Sequence, residues 1–575
     1  MNAIHARLAA RGGAVAAFVS QPEPRSIGHY AKGRQLCAGN IRFAGQLIEL
    51  NGEDLWRIEP PDSAFAEEMH GFGWLDDLAA VGDGKARAVA GRWVWDWIDR
   101  YGSGSGPGWA PEIAGRRLIR WINHALFLLR GKSKDQSALF FRSLGMQARF
   151  LARRWPAARD GLPRFEALAG TIYAGLALDG QQSLAEPAVM ALARDCERGI
   201  AADGGIVTRD PEEAVEVLTL LNWTVEALES ADREVPTEIT AAIARMTPAL
   251  RALRHADGGL ARFHGGARGV EGRLDQALAA SRVRTRPDPE ALHMGYARMT
   301  AGRTSLVLDA APPPKGPASY NAHASTLAFE LTSGRRQLIV NCGSGAQFGA
   351  EWRRAGRATP SHSTLGIDGF SSSRLGMPTL LNGLRQELLE DTPSEVLFEF
   401  SQLPDGNRLE AAHNGYQATH GLTHARIIDL AYNGRGIAGQ DLLTTLSDGD
   451  ERRFDRAVDA TGGEGVPYSV RFHLHPDVDA EIDLGGSAVS LALKSGEIWI
   501  FRHDNVATLS LEPSVYLEKN RLRPRSTRQV VLSGRAMSYA TRVRWSLAKA
   551  QDTPNAVRDV FETDFFAGSD EQETT

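Results

Sequence analysis

The chain has 575 residues, more than the roughly 250–300 that one hydrophobic core organises, so we expect at least two domains. Its 65 basic and 70 acidic residues give a formal net charge of −5, which excludes the global positive field that gathers DNA, RNA or anionic membranes. We therefore expect no nucleic-acid partner, and any acidic ligand must meet a local cluster of Arg or Lys.

Cysteine usage and the N-terminus bear on the compartment. Cys37, Cys196 and Cys342 are odd in number and widely separated, so they predict no disulfide framework. The N-terminal residues are mildly basic, but the apolar run at 14–19 is short and no export cleavage site follows it. No stretch reaches the roughly 20 apolar residues of a transmembrane segment. By sequence we expect a cytoplasmic protein without a transmembrane segment.

After an N-terminal extension at 1–59, residues 60–285 have the apolar spacing of helices. The predicted helices are 85–101, 111–130, 133–155, 165–178, 183–199, 211–230 and 237–255. The segment 121–129 is apolar around most of its circumference, which is typical of a helix buried between other helices. This pattern favours a layered array or toroid over a four-helix bundle.

Two loops in this region share the sequence Ala-Asp-Gly-Gly, at 202–205 and 256–259. Each follows a predicted helix, and each is followed by an arginine, Arg209 or Arg262. Glycine is favoured at helix ends because it tolerates left-handed backbone conformations. The spacing also fits a weak internal repeat of helical hairpins around a common axis.

From 286 to 560 short β-like segments replace the helices, after a hinge at 286–289 with the sequence Arg-Pro-Asp-Pro. The predicted strands include 304–308, 325–331, 337–341, 363–368, 396–401, 425–430, 470–474, 499–502 and 529–533. Many short strands without long helices between them predict an antiparallel β-sandwich. The acidic tail at 561–575 is expected to be disordered.

Three elements of this second half resemble the C-terminal domain of the heparinase II/III family. They are Asn321-Ala-His-Ala-Ser with the strand ending at Asn341-Cys342-Gly343, Ser361-His-Ser-Thr, and His413-Asn-Gly-Tyr followed by His424 and by 471–476. The resemblance extends over about residues 60–550, with weaker support at 115–122. It implies an N-terminal (α/α) toroid of helical hairpins followed by a C-terminal antiparallel β-sandwich.

The resemblance further implies a lyase that cleaves a uronic-acid-containing polysaccharide or oligosaccharide by β-elimination, in a cleft between the two domains. Such chemistry needs a group that neutralises the carboxylate, a base and an acid. The family's Asn, His and Tyr of the toroid have no counterpart near 163–166 and 209–213. The candidates for these roles are therefore Arg164, Arg209, Glu166, His323 and Tyr416, with Tyr173 and His264 as further proton carriers.

The resemblance also raises the question of a metal. In some members of the family, histidines matching His323 and His362, with a carboxylate at the position of Asn341, hold zinc. Here an amide replaces the carboxylate, and an amide oxygen is a poor zinc ligand. Zinc in the sandwich and a simple hydrogen bond between strands are both open at this stage, and no other cofactor is required.

Basic residues beside tryptophan are candidates for glycan binding, although such arginines often only form a soluble helix face. They are Arg116, Arg120, Arg353, Arg357 and Trp352. A homodimer is left open.

Two other functions stay open beside the lyase. The first is a non-catalytic glycan-binding or envelope-assembly protein that keeps the scaffold without the family's catalytic groups. The second is a glycoside hydrolase that uses paired carboxylates such as Glu166 with Glu212 or Glu213. The family resemblance also suggests the periplasm or cell envelope as an alternative compartment.

Overall fold

The structure is a computed structural model, and it describes residues 1–13, 15–20, 25–381, 384–519 and 521–550. The predicted acidic tail and the predicted end of the second domain at 560 lie outside these residues. Among the described residues, no helix is long and apolar enough to cross a membrane.

The first half is helical, with one short hairpin of strands β1 (Asn40–Phe43) and β2 (Gln46–Glu49). Its helices are α1 (Asn2–Ala9), α2 (Tyr30–Cys37), α3 (Ser63–Gly71), α4 (Trp74–Val81), α5 (Gly84–Tyr101), α6 (Pro111–Asn123), α7 (Ala125–Leu129), α8 (Lys134–Arg154), α9 (Leu162–Ala177), α10 (Ala185–Gly199), α11 (Pro211–Ser230), α12 (Thr237–Ala252) and α13 (Arg273–Ala280).

Helix α6 packs closely against α9, and two glycines make this possible. A Cβ atom added to Gly115 would lie 2.3 Å from the Glu166 carbonyl oxygen, and one added to Gly170 would lie 2.6 Å from the Gly115 Cα atom. Only glycine permits such an approach between helix backbones. The contact places Arg116 beside Glu166 at the helix surface.

The prediction of one continuous helix at 111–130 is wrong, because the structure has two helices there. His124 has φ −102° and ψ 17°, which ends α6 and begins α7. Its Nε2 atom lies 2.8 Å from Asp76 Oδ1, and both side chains are buried. The contact with Asp76 fixes the His124 side chain at the break. The spacing of apolar residues in the sequence gives no sign of such a contact.

The N-terminal segment packs into the helical domain. Ala6, Leu36, Ile41 and Phe43 are buried in the same hydrophobic cluster as the helices that follow. Since burying such side chains stabilises a fold, these four residues of the N-terminal segment contribute to the helical core.

The second half is an antiparallel β-sandwich, as predicted. Its strands are β3 (Tyr296–Ala301), β4 (Thr304–Asp309), β5 (Phe329–Ser333), β6 (Arg336–Val340), β7 (Leu365–Ile367), β8 (Arg374–Leu375), β9 (Thr379–Leu381), β10 (Leu384–Gln386), β11 (Leu389–Glu390), β12 (Val396–Gln402), β13 (Gly406–Tyr416), β14 (Leu422–Ala431), β15 (Gly436–Thr444), β16 (Val466–Leu474), β17 (Val478–Asp483), β18 (Ala488–Leu493), β19 (Ile498–His503), β20 (Thr508–Tyr516), β21 (Arg525–Ala536) and β22 (Ala540–Lys549). Three helices interrupt them: α14 (Ala350–Arg357), α15 (Gln417–His420) and α16 (Asp448–Ala460).

Two large sheets form the sandwich. One has the order β12-β13-β14-β15-β22-β19-β18-β17, and the other has the order β20-β21-β16-β6-β5-β4-β3, with β7 also paired to β16. Aromatic side chains fill the space between them, where the Phe329 and Trp545 rings stack at 5.8 Å and Phe472 meets Trp545 edge-on at 4.9 Å. Offset and edge-on ring contacts of this kind stabilise such cores.

Candidate functional site at the domain interface

The two similar loops of the helical domain have the same local geometry. Gly204 and Gly258 have φ values of 77° and 86°, and the preceding Asp203 and Asp257 each accept a hydrogen bond from the amide two residues later. Such Asx turns suit the Asp-Gly-Gly sequence. Both loops lead into chain segments that contact the sandwich.

Each segment sends its arginine into the sandwich. Arg209 Nη2 lies 2.6 Å from Asp309 Oδ1 at the end of β4. Arg262 Nη2 donates to the Asn341 carbonyl oxygen at 2.5 Å, and its guanidinium lies 4.0 Å from the centre of the Tyr516 ring. Each of the two similar loops is therefore followed by an arginine that contacts the sandwich.

Arg209, one of the candidates for binding a substrate carboxylate, is saturated by the protein. Besides the Asp309 carboxylate, its guanidinium donates to the carbonyl oxygens of Met294, Gly295, Ala311 and Pro312. Burial raises the pKa of Asp309, but Arg209 and His264 outweigh this effect and lower that pKa to about 2. The pair is a buried ion pair that holds the two domains together.

His264 connects this pair to His323. The His264 Nδ1 atom accepts a hydrogen bond from the His323 amide at 3.1 Å, so its Nε2 atom carries the proton in the neutral ring. That atom lies 3.4 Å from Asp309 Oδ2, which also accepts from the Ser325 hydroxyl at 2.7 Å.

His323 and His362 form a short hydrogen-bonded relay. His362 Nδ1 donates to the Ala358 carbonyl oxygen at 2.9 Å, and its Nε2 lies 3.0 Å from His323 Nδ1. Burial lowers the pKa of His362 to about 3. Burial, together with the neighbouring His362 ring, lowers the pKa of His323 well below its ordinary value. Both rings are neutral at neutral pH, so His323 Nδ1 donates to His362 and His323 Nε2 carries no proton.

The side chains around this relay do not fit a zinc site. The Asn341 amide oxygen accepts a hydrogen bond from the Ser363 amide at 3.0 Å. Zinc normally takes four ligands from His, Cys and carboxylate groups. Within the described parts of the chain, no group of three or more His, Cys, Asp or Glu side chains could hold a metal ion. The side chains described in this region therefore do not provide a zinc ligand set.

The interface also contains a group of carboxylates, which we call the carboxylate cluster. Its members are Glu67, Glu112, Glu166, Asp210, Glu212 and Glu213, and the nearby cations are Arg116, Arg159 and Lys519. Burial raises the pKa of both Glu67 and Glu112. Burial and the neighbouring charges of Glu213 and Glu212 raise the pKa of Asp210 well above its ordinary value. Burial is thus the main cause of the raised pKa in all three of these acids.

Two contacts carry this cluster across the domain interface. The Tyr320 hydroxyl donates to Glu213 Oε1 at 2.5 Å, and Lys519 Nζ lies 2.5 Å from Glu212 Oε2. Arg159 of the helical domain lies over the Tyr320 ring at 4.7 Å. The cluster therefore lines the seam between toroid and sandwich, where the family resemblance places a cleft.

The arginines named as glycan contacts mostly bind protein groups. Arg116 makes a bidentate pair with Glu166 at 2.7 and 2.9 Å, and Arg120 is buried with its Nε atom 3.5 Å from Asp76. Arg353 donates to the Tyr320 carbonyl oxygen at 2.7 Å.

The other two glycan candidates also lie on α14. Arg357 is buried and donates to the carbonyl oxygens of Ala322, Ser319 and Glu387. Trp352 is 36% exposed, so its ring remains open to a ligand.

Tyr416 and Arg164 do not join the relay. Tyr416 is fully buried in the sandwich core, where its hydroxyl donates to the Leu365 carbonyl oxygen at 3.2 Å and burial raises its pKa. Arg164 donates to the Ala158 carbonyl oxygen and pairs with Asp160 at the start of α9. Tyr173 is also buried, and its hydroxyl donates to the Trp223 carbonyl oxygen at 3.3 Å.

The sequence and the architecture both match known proteins. The heparinase II/III-like C-terminal domain matches residues 283–546. The structure of heparinase III superposes with a TM-score of 0.69 at 13% identity, covering 95% of this chain and 89% of that one. The chain belongs to the heparinase II/III family. A mutant of the heparan sulfate lyase HepC from Pedobacter heparinus has the same fold, with a TM-score of 0.59 at 14% identity over 95% of this chain and 87% of that one.

One curated relative is similar over most of its length. FtsZ-localized protein C of Caulobacter vibrioides is 32% identical over 542 residues, which cover 92% of this chain and 89% of the relative. The matched residues include most of the helical domain and most of the sandwich of this chain.

Sequence inspection missed two members of this interface. Asp309 ends the apolar strand 304–309, and Tyr320 precedes the recognised element at 321–325 by one residue. A carboxylate ending a buried strand and a tyrosine beside a family element were the available signals. Neither signal identifies the partner residue. Asp309 pairs with Arg209 and Tyr320 with Glu213, and each partner is about a hundred residues away along the chain.

Proposed function

We propose that this chain is a non-catalytic protein of the cell-division apparatus that associates with FtsZ and uses the heparinase scaffold without its eliminative chemistry. The observation that carries the proposal is the 32% identity over 92% of the chain to a protein named FtsZ-localized protein C. The cytoplasmic placement expected from the sequence belongs to the same proposal, and cell fractionation tests it.

The state of the candidate catalytic groups supports this proposal. Elimination needs a cation or amide free to neutralise the substrate carboxylate, and an acid within reach of the departing oxygen. The N–H groups of the Arg209 guanidinium donate to Asp309 and to backbone carbonyl groups. The Tyr416 phenol lies inside the sandwich. The groups named for those two steps are thus committed to holding the fold.

Electrostatics at the domain seam also support it. Burial and the charges of Glu213 and Glu212 raise the pKa of Asp210, so carboxylates already crowd one another at the seam that a uronate would enter. Like charges placed together cost binding free energy. A polyanionic glycan is therefore a poor ligand for this seam. The carboxylates suggested for a hydrolase are also occupied, since Glu166 binds Arg116 and Glu213 binds Tyr320.

A second candidate, the acidic-glycan lyase, is favoured by one observation. The relay from Ala358 through His362 leaves His323 Nε2 without a proton, and the Tyr320 phenol lies three residues away along the chain. A neutral imidazole with a free nitrogen can act as a base. In this alternative His323 would take the proton alpha to the carboxylate, and Tyr320 would protonate the leaving oxygen after its hydroxyl had released Glu213.

One pair of assays separates the two candidates. The purified chain is sedimented with polymerised FtsZ from the same organism, with unpolymerised FtsZ as the control. It is also incubated with heparin, heparan sulfate, chondroitin sulfate, hyaluronan, alginate and glucuronan while the absorbance of unsaturated uronate is followed. We expect co-sedimentation and no absorbance change.

A rise in absorbance that His323→Ala abolishes and Tyr416→Phe leaves intact would establish the lyase and overturn the non-catalytic proposal. The Tyr416→Phe variant is the matched control, because it removes a hydroxyl that the structure places away from the relay.

A further inference from the structure

A pocket of about 430 Å³ lies in the sandwich between α16 and the turn that joins β21 to β22. Both elements connect one large sheet to the other, because α16 follows β15 and precedes β16, while β21 and β22 belong to different sheets. The pocket shares no residue with the histidine relay or the carboxylate cluster. The interactions at the domain seam therefore do not account for it.

The floor of the pocket is apolar and anchored in the sandwich. Phe454 is 2% exposed and belongs to the sandwich core, and its ring meets the Tyr539 ring edge-on at 5.8 Å. Val458, one turn further along α16, packs against the same core. Ser447 caps the helix by accepting a hydrogen bond from the Asp450 amide at 3.3 Å. The helix is thus fixed in place before any ligand arrives.

The rim of the pocket exposes large apolar side chains. Met537 is 60% exposed and Tyr539 is 42% exposed, and both line the pocket from the β21–β22 turn. Leu446, which is 68% exposed, follows Thr445, whose amide donates to the Tyr539 carbonyl oxygen at 2.9 Å. Exposed apolar groups with a polar border are typical of protein interaction sites, in which Met and Tyr are enriched. The pocket therefore has the composition of a docking surface for another protein.

The charged residues that line the pocket are acidic. Asp455 and Asp459 lie one helical turn apart on α16, and both are exposed. Among the described residues, neither carboxylate pairs with Lys or Arg, and that of Asp455 accepts a hydrogen bond from the Tyr539 hydroxyl at 3.2 Å. The exposed Arg452 and Arg456 of the same helix do not line the pocket. The pocket therefore presents unpaired negative charge beside an apolar floor.

The negative charge continues along one face of α16. Acidic residues recur there at every third or fourth position, which places them on one side of the helix. They are Asp448, Glu451, Asp455 and Asp459. The hydrogen bond to Asp455, with further contributions from burial and from the charges of Asp455 and Glu451, raises the pKa of Tyr539. Glu451 thus acts on the same side of the helix as the pocket, and a ligand with more than one positive charge can pair with this face.

We propose that this pocket docks a basic segment of a partner protein, which inserts a large apolar side chain beside Phe454 and pairs its Lys or Arg with Asp455 and Asp459. Charge complementarity selects this partner, because the acidic face of α16 would repel an acidic segment. The exposed apolar surface extends past the pocket to Leu446, so a peptide covers more of it than a small amine does. The inference does not rest on the proposed association with FtsZ.

The test is a selection of phage-displayed random peptides on the full-length chain, with peptides of about 12 residues, a length suited to one groove-bound segment. A parallel selection uses the variant that combines Asp455→Lys with Asp459→Lys. We expect the wild type to enrich peptides with Lys or Arg near a large apolar residue, and the variant to lose them. Fluorescein-labelled copies of the enriched peptides are then titrated by fluorescence anisotropy. Their affinity should fall as the ionic strength rises, because salt screens exposed charge pairs.

A matched variant separates the pocket from general charge. Asp479→Lys combined with Glu481→Lys makes the same change of charge at exposed positions of β17. We expect the substitutions at 455 and 459, and separately Met537→Ser, to weaken binding of the enriched peptides about tenfold or more, the effect of losing roughly 1.4 kcal/mol. The β17 variant should bind like the wild type. Circular dichroism and thermal unfolding of each variant establish that the fold is intact before binding is compared.

Four outcomes would overturn the proposal. The first three are the absence of any enriched peptide, the enrichment of acidic or uncharged peptides, and an affinity that the substitutions at 455 and 459 leave unchanged. The fourth comes from sedimentation velocity of the chain alone. A wild-type dimer that these two substitutions convert to a monomer would assign the pocket to a second copy of the chain.

Discussion

The Arg209 guanidinium and the Asp309 carboxylate meet at 2.6 Å across the boundary between the helical domain and the sandwich. Asp309 is fully buried, and Arg209 has φ +50°, a left-handed conformation that a non-glycine residue rarely adopts. The contact combines a buried ion pair with local backbone strain. Such strain persists where the surrounding structure compensates for it, and here the compensation is the joining of two domains.

Replacing one member of this pair should weaken the whole chain. We expect Arg209→Ala to lower the free energy of unfolding by about 3–5 kcal/mol, because the Asp309 carboxylate is left buried and unpaired. Urea denaturation followed by circular dichroism measures the change. Arg374→Ala, which removes an exposed pair with Glu390, is the control and should change stability little. An equally small effect of Arg209→Ala would contradict the structural role.

The histidine relay predicts an acid-dependent loss of stability. The pKa of His362 is about 3 in the folded chain and 6.5 ordinarily, so the unfolded chain binds a proton first as the pH falls. The contribution of His362 is complete above about pH 6.5 and is lost toward pH 3, with a slope of at most about 1.4 kcal/mol per pH unit.

The variant His362→Asn isolates this effect. Its amide can still donate to Ala358, but it does not titrate. Urea unfolding near pH 7 and near pH 5 should show a shallower pH dependence for the variant than for the wild type. Equal slopes in the two proteins would mean that His362 is protonated as readily in the folded state as in the unfolded one.

For the carboxylate cluster we predict a pH dependence of stability opposite to that of the histidine relay. Burial raises the pKa of Glu112, so its contribution to stability is present at low pH and is lost as the pH rises through the folded value. Glu112→Gln should therefore gain stability relative to the wild type as the pH rises above the ordinary value of 4.5. Thermal unfolding at several pH values checks this, and a variant that becomes relatively less stable toward alkaline pH would refute it.

Tyr416→Phe should have a structural effect only. The phenol donates a single hydrogen bond to the Leu365 carbonyl oxygen inside the sandwich, so its removal should cost about 0.5–1.5 kcal/mol. Binding to FtsZ and behaviour toward glycans should stay at wild-type levels. Loss of either property in a variant that is still folded would assign Tyr416 the functional role that the sequence suggested.

The fold could be predicted because local signals agree with one another. Helix α11 occupies 211–230 as predicted, since Asp210 caps its first amides, Pro211 begins it and apolar residues follow at helical spacing. Strand β5 shows where this fails. It begins at Phe329 instead of 325, because Leu327 has φ +62° and Ser325 bonds to Asp309 before the ladder begins.

The site was harder to predict, since its partners are distant in sequence. The residue types of His323 and His362 drew attention to the relay, and the structure brings them together at 3.0 Å. The neutralisation of Arg209 by Asp309 and of Glu213 by Tyr320 depends on the docking of two domains. The spacing of residues along the chain does not show how the two domains dock. Arg209, which the sequence suggested as a substrate-binding residue, therefore has a structural role.

The measurement that tests the central proposal most directly is co-sedimentation of the purified chain with FtsZ polymers over a range of chain concentrations. We predict saturable recovery of the chain in the pellet with polymerised FtsZ and none with unpolymerised FtsZ. If the chain stays in the supernatant at every concentration, while an acidic glycan yields an unsaturated product that His323→Ala abolishes, the chain is a lyase and the proposal is wrong.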